Sequence, residues 1–316
     1  MAAKLDIDLG GLRLKNPVTV ASGTFGYGEE YEHYFDVGRL GAVTTKSLTL
    51  KPWTGNRPPR LVETPAGLLN AIGLQNVGID AYLDTKPGFL RDKGVPIIAN
   101  IYGHAPEDYA ELASRLEQAA GADAVEANLS CPNVHDAKAA RGATLVAQEP
   151  DKVLAYTKAI RSATTLPLFV KLTPNVVNIC DAALAAQEGG ADGVSLINTL
   201  LGMAIDSETR RPRLANIVGG LSGPCIRPVA VKMVWDAAKV LDIPIIGMGG
   251  ICRPADAIEF LLAGATAVAV GSITFRQPDA AVRVIDGIAD YLERHGFERV
   301  QDIIGAMSET AETWHG

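Results

Sequence analysis

The chain has 316 residues, 47% of them hydrophobic, and a formal net charge of −7 at pH 7. This size and composition suit one large core, because barrels of alternating strands and helices often exceed about 250 residues as one domain. The charge is spread without a basic stripe, which excludes a nucleic-acid partner, since nothing is present to neutralise the phosphates.

Targeting and cysteine signals point to a reducing compartment. The N-terminal residues lack the apolar centre of a signal peptide, and no run approaches the roughly 18 apolar residues of a membrane span. Cys131, Cys180, Cys225 and Cys252 are too far apart for a CxxC metal motif or an iron–sulfur motif. We therefore expect a cytoplasmic protein with free thiols and no metal, in which three of the four cysteines are small core residues.

A hairpin is the first predicted element, and eight strands follow it. Leu5, Ile7 and Leu9 alternate with polar residues up to a Gly-Gly pair, and Leu12 and Leu14 continue the pattern beyond it. Eight short apolar runs then recur, mostly continuous, as expected for strands buried on both faces. They span residues 17–21, 42–45, 96–101, 124–128, 168–172, 193–198, 244–248 and 267–270.

Proline and glycine mark the ends of helices between these strands. One helix is predicted over residues 107–120, after Pro106, and another over residues 255–263, after Pro254, and a glycine follows each. Eight strand–helix units predict a (β/α)8 TIM barrel, formed as a single domain by residues 1–316, with the hairpin over its N-terminal mouth.

Polar residues and glycines end every apolar run, at the barrel edge where chemistry occurs. The strand ends carry Ser22-Gly23, Lys46-Ser47, Asn100, Asn128, Lys171, Asn198, Gly249-Gly250 and Gly271-Ser272. One lysine here fits a solvated rim as well as a site, but two, Lys46 and Lys171, favour a site. Long connections at 47–80, 131–150 and 199–223 follow strand ends and are predicted to overhang the C-terminal mouth as lids or binding segments.

Glycine-rich loops follow strands seven and eight, where many barrels bind phosphate. Gly249-Gly250 and Gly271-Ser272 would let backbone N–H groups approach phosphate oxygens. Two tight turns that need positive φ are the alternative interpretation. The presence of both loops at the expected places favours a phosphate-binding site.

Residues 128–133, which read Asn-Leu-Ser-Cys-Pro-Asn, carry the clearest chemical signal. Cys131 lies between two asparagines directly after a strand, a loop position that suits a catalytic base with amides beside it to hold a substrate. A turn with a chance cysteine is the alternative.

Together these segments resemble the class 1, B-subtype dihydroorotate dehydrogenases over nearly the whole chain. The ordered matches are Ala-Ser-Gly-Thr-Phe-Gly at 21–26, Thr-Lys-Ser at 45–47, Glu-Thr-Pro-Ala-Gly at 63–67, Asn-Ala-Ile-Gly-Leu-Gln-Asn at 70–76, Asn-Leu-Ser-Cys-Pro-Asn at 128–133, Asn-Thr at 198–199, Gly-Leu-Ser-Gly-Pro at 220–224 and Gly-Gly at 249–250. The segments at 70–76 and 220–224 resemble the B subtype more than the A subtype.

The resemblance implies an FMN-dependent enzyme that oxidises dihydroorotate to orotate in de novo pyrimidine biosynthesis, with Cys131 as the base. FMN would contact Ser22, Lys46, Ser47, Asn100, Asn128, Lys171, Ile197, Gly223, Gly249, Gly250, Gly271 and Ser272. The substrate would contact Lys46, Asn70, Ala71, Ile72, Gly73, Leu74, Asn128, Asn133, Asn198 and Thr199.

These residue types suit a reaction that removes a proton from one ring carbon and a hydride from its neighbour. A thiol, with a reference pKa of about 8.5, must be tuned or must act through a minor ionised fraction. Asparagine amides offer donors and an acceptor to an imide edge. Lys171 can stabilise negative charge on reduced flavin, and Lys46 can neutralise the substrate carboxylate. We expect the connection 131–150 to close over the substrate.

The B subtype also implies an electron-transfer subunit with FAD and an iron–sulfur cluster, which passes electrons to NAD⁺ in a heterotetramer built on a homodimer of this chain. The sequence has no Rossmann glycine fingerprint or clustered cysteines, which is consistent with a separate subunit. Residues 134–144 depart from the family pattern, where we expect a glycine pair and a phenylalanine. Cys225 and Cys252 depart from it too, and we predict that they pack rather than react.

Other interpretations share parts of this pattern. The same chemistry occurs in an A-type homodimer that uses fumarate, and a dihydropyrimidine-type reductase acts on rings that lack the carboxylate. A flavin-free aldolase would use Lys46 or Lys171 as a Schiff base. A non-catalytic flavin or nucleotide sensor is the last alternative, against which Cys131 argues, since binding alone needs no base.

Overall fold

The computed structural model of the protein describes residues 3–130 and 145–308. The strands of this part of the chain are β1 Ile7–Leu9, β2 Leu12–Leu14, β3 Val18–Val20, β4 Val43–Thr44, β5 Leu61–Thr64, β6 Gly67–Asn70, β7 Ile97–Ile101, β8 Ala124–Asn128, β9 Leu168–Lys171, β10 Gly193–Leu196, β11 Leu200–Met203, β12 Ile205–Asp206, β13 Arg211–Pro212, β14 Val218–Ser222, β15 Ile245–Met248 and β16 Ala267–Val270. Its α-helices are α1 Gly78–Thr85, α2 Pro87–Asp92, α3 Pro106–Gln118, α4 Pro150–Arg161, α5 Ile179–Glu188, α6 Arg227–Ala238, α7 Pro254–Leu262 and α8 Ala280–His295.

Eight strands form a parallel sheet that nearly closes into a barrel, in the order β3-β16-β15-β10-β9-β8-β7-β4. At the seam between β3 and β4, the Gly41 N–H donates to the Val18 carbonyl at 2.9 Å. The hydroxyls of Thr19 and Thr44 lie 3.3 Å apart across the same seam. Each predicted apolar run contains one of these strands, so the (β/α)8 prediction is confirmed.

The helices begin where proline predicted them. Helix α3 begins at Pro106 and α7 at Pro254, and each ends one or two residues before its predicted last residue. Tyr109, Leu112 and Leu116 of α3 are buried on one stripe, as the 3.6-residue period requires. In the part of the chain that the structure describes, no helix is long and apolar enough to cross a membrane.

The N-terminal hairpin covers the N-terminal mouth of the barrel, as predicted. Strands β1 and β2 pair antiparallel with Ile7 opposite Leu14. The turn lies against the start of β10, because a Cβ on Gly10 would meet the Asp192 carbonyl oxygen at 2.3 Å. With φ of +58° and no room for a side chain, this position requires glycine.

Two of the long connections build a second sheet, which the sequence did not predict and which we call the overhanging sheet. Strands β11, β14, β6 and β5 pair antiparallel in that order, so the 47–80 and 199–223 connections share one sheet. Val62, Leu69, Ala71 and Leu214 form its own small core. Glycine makes up much of β14, so the alternation of apolar and polar side chains ends there. A side chain would not fit at Gly220, because its Cβ would meet the Thr199 hydroxyl oxygen at 2.0 Å. Most of the third connection, residues 131–144, lies outside the described residues.

The prediction that three of the four cysteines are core residues is wrong, because none of the three described cysteines is fully buried. Cys225 is exposed, while Cys180 and Cys252 are half-buried, and all three are free thiols. Cys225 follows the turn after β14 at the edge of the overhanging sheet, where its sulfur contacts the Ser222 carbonyl at 3.7 Å rather than a core.

Candidate active site

The C-terminal ends of the barrel strands surround a cleft of about 320 Å³, within the usual range of cofactor pockets. Most residues that the sequence assigned to the cofactor line it: Ser22, Lys46, Ser47, Asn128, Lys171, Ile197, Gly223, Gly249, Gly250, Gly271 and Ser272. Most residues assigned to the substrate line it as well: Lys46, Asn70, Ile72, Gly73, Leu74, Asn128, Asn198 and Thr199.

The remaining predicted residues lie elsewhere. Asn100 is fully buried inside the barrel, where it contacts Glu126. Ala71 is buried in the small core of the overhanging sheet. Cys131 and Asn133 lie outside the described residues, as does most of the predicted lid.

Lys171 ends β9 with its ammonium group inside the barrel, and the residue is only 4% exposed. Its Nζ donates to Ser22 Oγ at 3.0 Å and lies 3.7 Å from Glu126 Oε1. An ammonium group carries three donors, so Lys171 keeps the capacity to donate to a ligand. A cation held at this place can stabilise negative charge that develops in the cleft.

Glu126 and Ser195 complete the polar interior, and the sequence interpretation missed both. Glu126 accepts one hydrogen bond from Asn100 Nδ2 and one from Ser195 Oγ, each 2.6 Å long. A signal was present, because Glu126 lies two residues before Asn128 and therefore on the same face of β8. A carboxylate within a strand of alanine and valine indicates an interior polar group.

The ends of β8 and β10 are tied together around Ser130. Asn128 Oδ1 accepts from the Ser130 N–H at 3.3 Å and from its hydroxyl at 3.1 Å. Asn198 Nδ2 donates to the same hydroxyl at 2.8 Å, and Asn198 Oδ1 accepts from the Thr199 N–H at 2.8 Å. Both asparagines are thereby oriented, and the backbone is fixed up to the residue that precedes Cys131.

Lys46 and Arg60 place two positive charges on the cleft wall. Burial lowers the pKa of Lys46, and the Arg60 guanidinium lowers it further, while Glu30 opposes both. Arg60, which the sequence interpretation missed, is anchored by hydrogen bonds to Asn56 and Gln75. This wall suits an anionic ligand, whose negative charge would favour the protonated form of Lys46.

Glycines keep the cleft walls open. Gly23 has φ of +83°, and no atom lies within 4 Å of the position that its Cβ would take. Gly250 has φ of +73°, and a Cβ there would meet the Gly223 carbonyl oxygen at 2.7 Å. The loops after β3 and β15 thus meet the cleft as backbone, and the second of these loops is part of the predicted phosphate site.

Comparison with known proteins gives concordant similarities. The family model described as dihydroorotate dehydrogenase matches residues 4–292. The chain is 50% identical over 307 residues to the "Dihydroorotate dehydrogenase B (NAD(+)), catalytic subunit" of Trichlorobacter lovleyi, covering 97% of this chain and 99% of that one. It is 49% identical over 303 residues to the protein of the same name from Geotalea uraniireducens, covering 96% and 98%. Among solved structures it is similar to DHODH from Eimeria tenella in complex with ferulenol, with a TM-score of 0.79 and 27% identity, covering 96% of this chain and 88% of that one.

Proposed function

The chain belongs to the dihydroorotate dehydrogenase family, and we propose that its cleft holds FMN beside Lys171 and uses Cys131 as the base on dihydroorotate. Its relatives at 49–50% identity are NAD-linked B-type catalytic subunits, so the chain is an oxidoreductase that converts dihydroorotate to orotate. The observation that carries the proposed site is that Lys171, Asn128 and Asn198 line one cleft. The two asparagines also hydrogen-bond to Ser130, the residue immediately before Cys131.

The polar groups of the cleft suit a flavin. Asn100 does not line the cleft, but Glu126 contacts both Asn100 and the cleft residue Lys171. Asn100 Oδ1 is buried and accepts no hydrogen bond from the described residues, so it is an acceptor that a ring N–H would satisfy. Lys171 offers a buried cation, and the glycine loops after β15 and β16 offer N–H groups for a phosphate. FMN, when bound, supplies the acceptor for the hydride.

Cys131 removes the proton from one ring carbon while the hydride leaves the neighbouring carbon, and the electrons of the first C–H bond form the new C=C bond. Asn128 and Asn198 fix Ser130, so the segment that carries the thiol leaves β8 from a defined position. Only the thiolate accepts a proton, so the rate depends on its ionised fraction.

The substrate's own groups match the cleft wall. Asn70 and Asn198 line the cleft, and the Asn198 amide oxygen, which accepts one bond from Thr199, keeps a second lone pair for an N–H of the imide edge of orotate. Lys46 and Arg60 attract the carboxylate that distinguishes orotate from uracil. This pair supports a dihydroorotate-specific cleft over one for uncharged pyrimidines.

We propose a partner subunit on the basis of the relatives' names, which describe catalytic subunits linked to NAD⁺. It carries FAD and an iron–sulfur cluster and joins a homodimer of this chain in a heterotetramer. Exposed Leu201, Met203, Ile205 and Val218, on or beside the overhanging sheet, support protein–protein contact there.

The proposed function is tested by anaerobic reduction of the purified chain. We expect bound FMN, whose absorbance at the flavin band falls on addition of dihydroorotate but not of dihydrouracil. Reoxidation by NAD⁺ should require the partner subunit, and fumarate alone should leave the flavin reduced. Rapid reoxidation by fumarate would indicate the A-type reaction, and a colourless protein that borohydride traps on a lysine would indicate the aldolase.

Orotate affinity should fall as pH rises through the lowered pKa of Lys46, because the carboxylate favours the protonated amine. The fall should therefore begin below the ordinary lysine value of 10.5. Arg60→Gln removes a charge that lowers this pKa, so it should move the fall to higher pH even if it weakens binding at every pH. Dissociation constants measured from pH 7 to 10 test this, with the exposed Lys51→Gln as control. Coincident pH midpoints for wild type and Arg60→Gln would contradict it.

A further inference from the structure

Glu126 is a carboxylate sealed inside the barrel, 1% exposed, and the mechanism above gives it no role. Glutamate is rarely buried to this extent unless it is paired. Its partners come from three other strands: Asn100 on β7, Lys171 on β9 and Ser195 on β10. All three are buried, Lys171 also lines the cleft, and Asn100 and Lys171 belong to the predicted cofactor set.

Glu126 fixes which way the Asn100 amide faces. A carboxylate only accepts hydrogen bonds, so the amide nitrogen must face it, and the 2.6 Å bond from Asn100 Nδ2 to Oε1 shows this arrangement. The amide oxygen is then turned away from Glu126. Asn100 Oδ1 is buried and has no hydrogen-bond partner among the described residues, an arrangement that proteins rarely leave without a bound ligand, ion or ordered water.

The same carboxylate offsets the charge of Lys171. The distance of 3.7 Å from Lys171 Nζ to Glu126 Oε1 is too long for a strong hydrogen bond, so the two groups interact mainly through their charges. The direct hydrogen bond of Nζ goes instead to Ser22, on the cleft wall. Reduction of a flavin adds negative charge, which Lys171 stabilises and Glu126 opposes.

We propose that Glu126 is a positioning residue that orients Asn100 toward the oxidised flavin and, by offsetting Lys171, lowers the reduction potential of the bound flavin. The inference rests on the proposed FMN site. A lowered potential suits an enzyme whose electrons must go on to NAD⁺, since the reduced flavin then gives them up more readily.

Glu126→Gln separates charge from shape. Its Oε1 can still accept from Asn100 and its Nε2 can donate to the Ser195 hydroxyl, so the interior packing is kept. We expect the dissociation constant of oxidised FMN to stay within about threefold of wild type. The preference for reduced over oxidised FMN should rise about tenfold, which is about 30 mV upward for a two-electron couple. The matched control is Glu188→Gln, an exposed glutamate at the end of α5.

Glu126→Asp provides the second arm, because it keeps the charge but withdraws it by one methylene from Asn100. Oxidised FMN should bind about tenfold more weakly to this apoprotein, measured by flavin fluorescence, with the potential near the wild-type value. This arm decides the question if Glu126→Gln does not fold. A Glu126→Gln potential equal to or below wild type, or unchanged FMN affinity in Glu126→Asp, would overturn the inference. A wild-type chain that binds no FMN would instead contradict the proposed function itself.

Discussion

Replacement of Cys131 by alanine is expected to slow flavin reduction by dihydroorotate by about 10²- to 10⁴-fold, the usual contribution of a positioned base. The proton on the ring carbon then has no acceptor beside it, whereas the groups for the flavin and for the imide edge remain. FMN content and orotate affinity should therefore stay close to wild type. Anaerobic stopped-flow reduction at saturating dihydroorotate measures the change directly.

The pH dependence of the wild-type rate sharpens this test. The reduction rate should rise with pH as the thiol ionises, because only the thiolate accepts the proton. Cys131→Ala should lose that rise, and Cys225→Ala, which removes an exposed thiol near the same cleft, should keep it. A Cys131→Ala enzyme that reduces its flavin at near wild-type speed would show that another group is the base.

The barrel could be predicted because its strands are buried on both faces. Continuous apolar runs make such strands visible, and the predicted runs at 124–128 and 267–270 have the same bounds as β8 and β16. Strands β6, β11 and β14 were not predicted, because each contains glycine, which breaks the alternation, and because β14 pairs with β6, which is distant in sequence. The hydrogen bond from Asn70 to the Gly220 carbonyl spans 150 residues, and no local pattern reports it.

The site residues at strand ends were predicted from the sequence, whereas those that lie within the strands, inside the barrel, were missed. Parallel strands bring their C-terminal residues to one edge, so Lys171, Asn128 and Asn198 could be grouped from the order of the strands. Glu126 and Ser195 lie inside the strands, and only the closed barrel shows that they meet, two strands apart. Asn100 was placed at a strand end, but the parallel register of β7 and β8 sets it directly opposite Glu126, so the two side chains meet inside the barrel.

Replacement of Lys171 by methionine is expected to affect both catalysis and stability. Loss of the cation that faces developing negative charge should slow flavin reduction by about 10²- to 10³-fold, the cost of removing one such group from a preorganised site. It also leaves Glu126 buried without its ion-pair partner, which should lower the free energy of unfolding by about 3–5 kcal/mol. Stopped-flow reduction and denaturant unfolding measure the two effects separately.

The double variant Lys171→Met/Glu126→Gln distinguishes the two roles of the lysine. Without the buried carboxylate, the unfolding free energy should recover most of its loss, because no uncompensated charge remains inside the barrel. Flavin reduction should stay slow, since the cation itself is still absent. Recovery of both stability and rate would mean that Lys171 acts only by neutralising Glu126, and Lys232→Met, at an exposed surface pair, should change neither quantity.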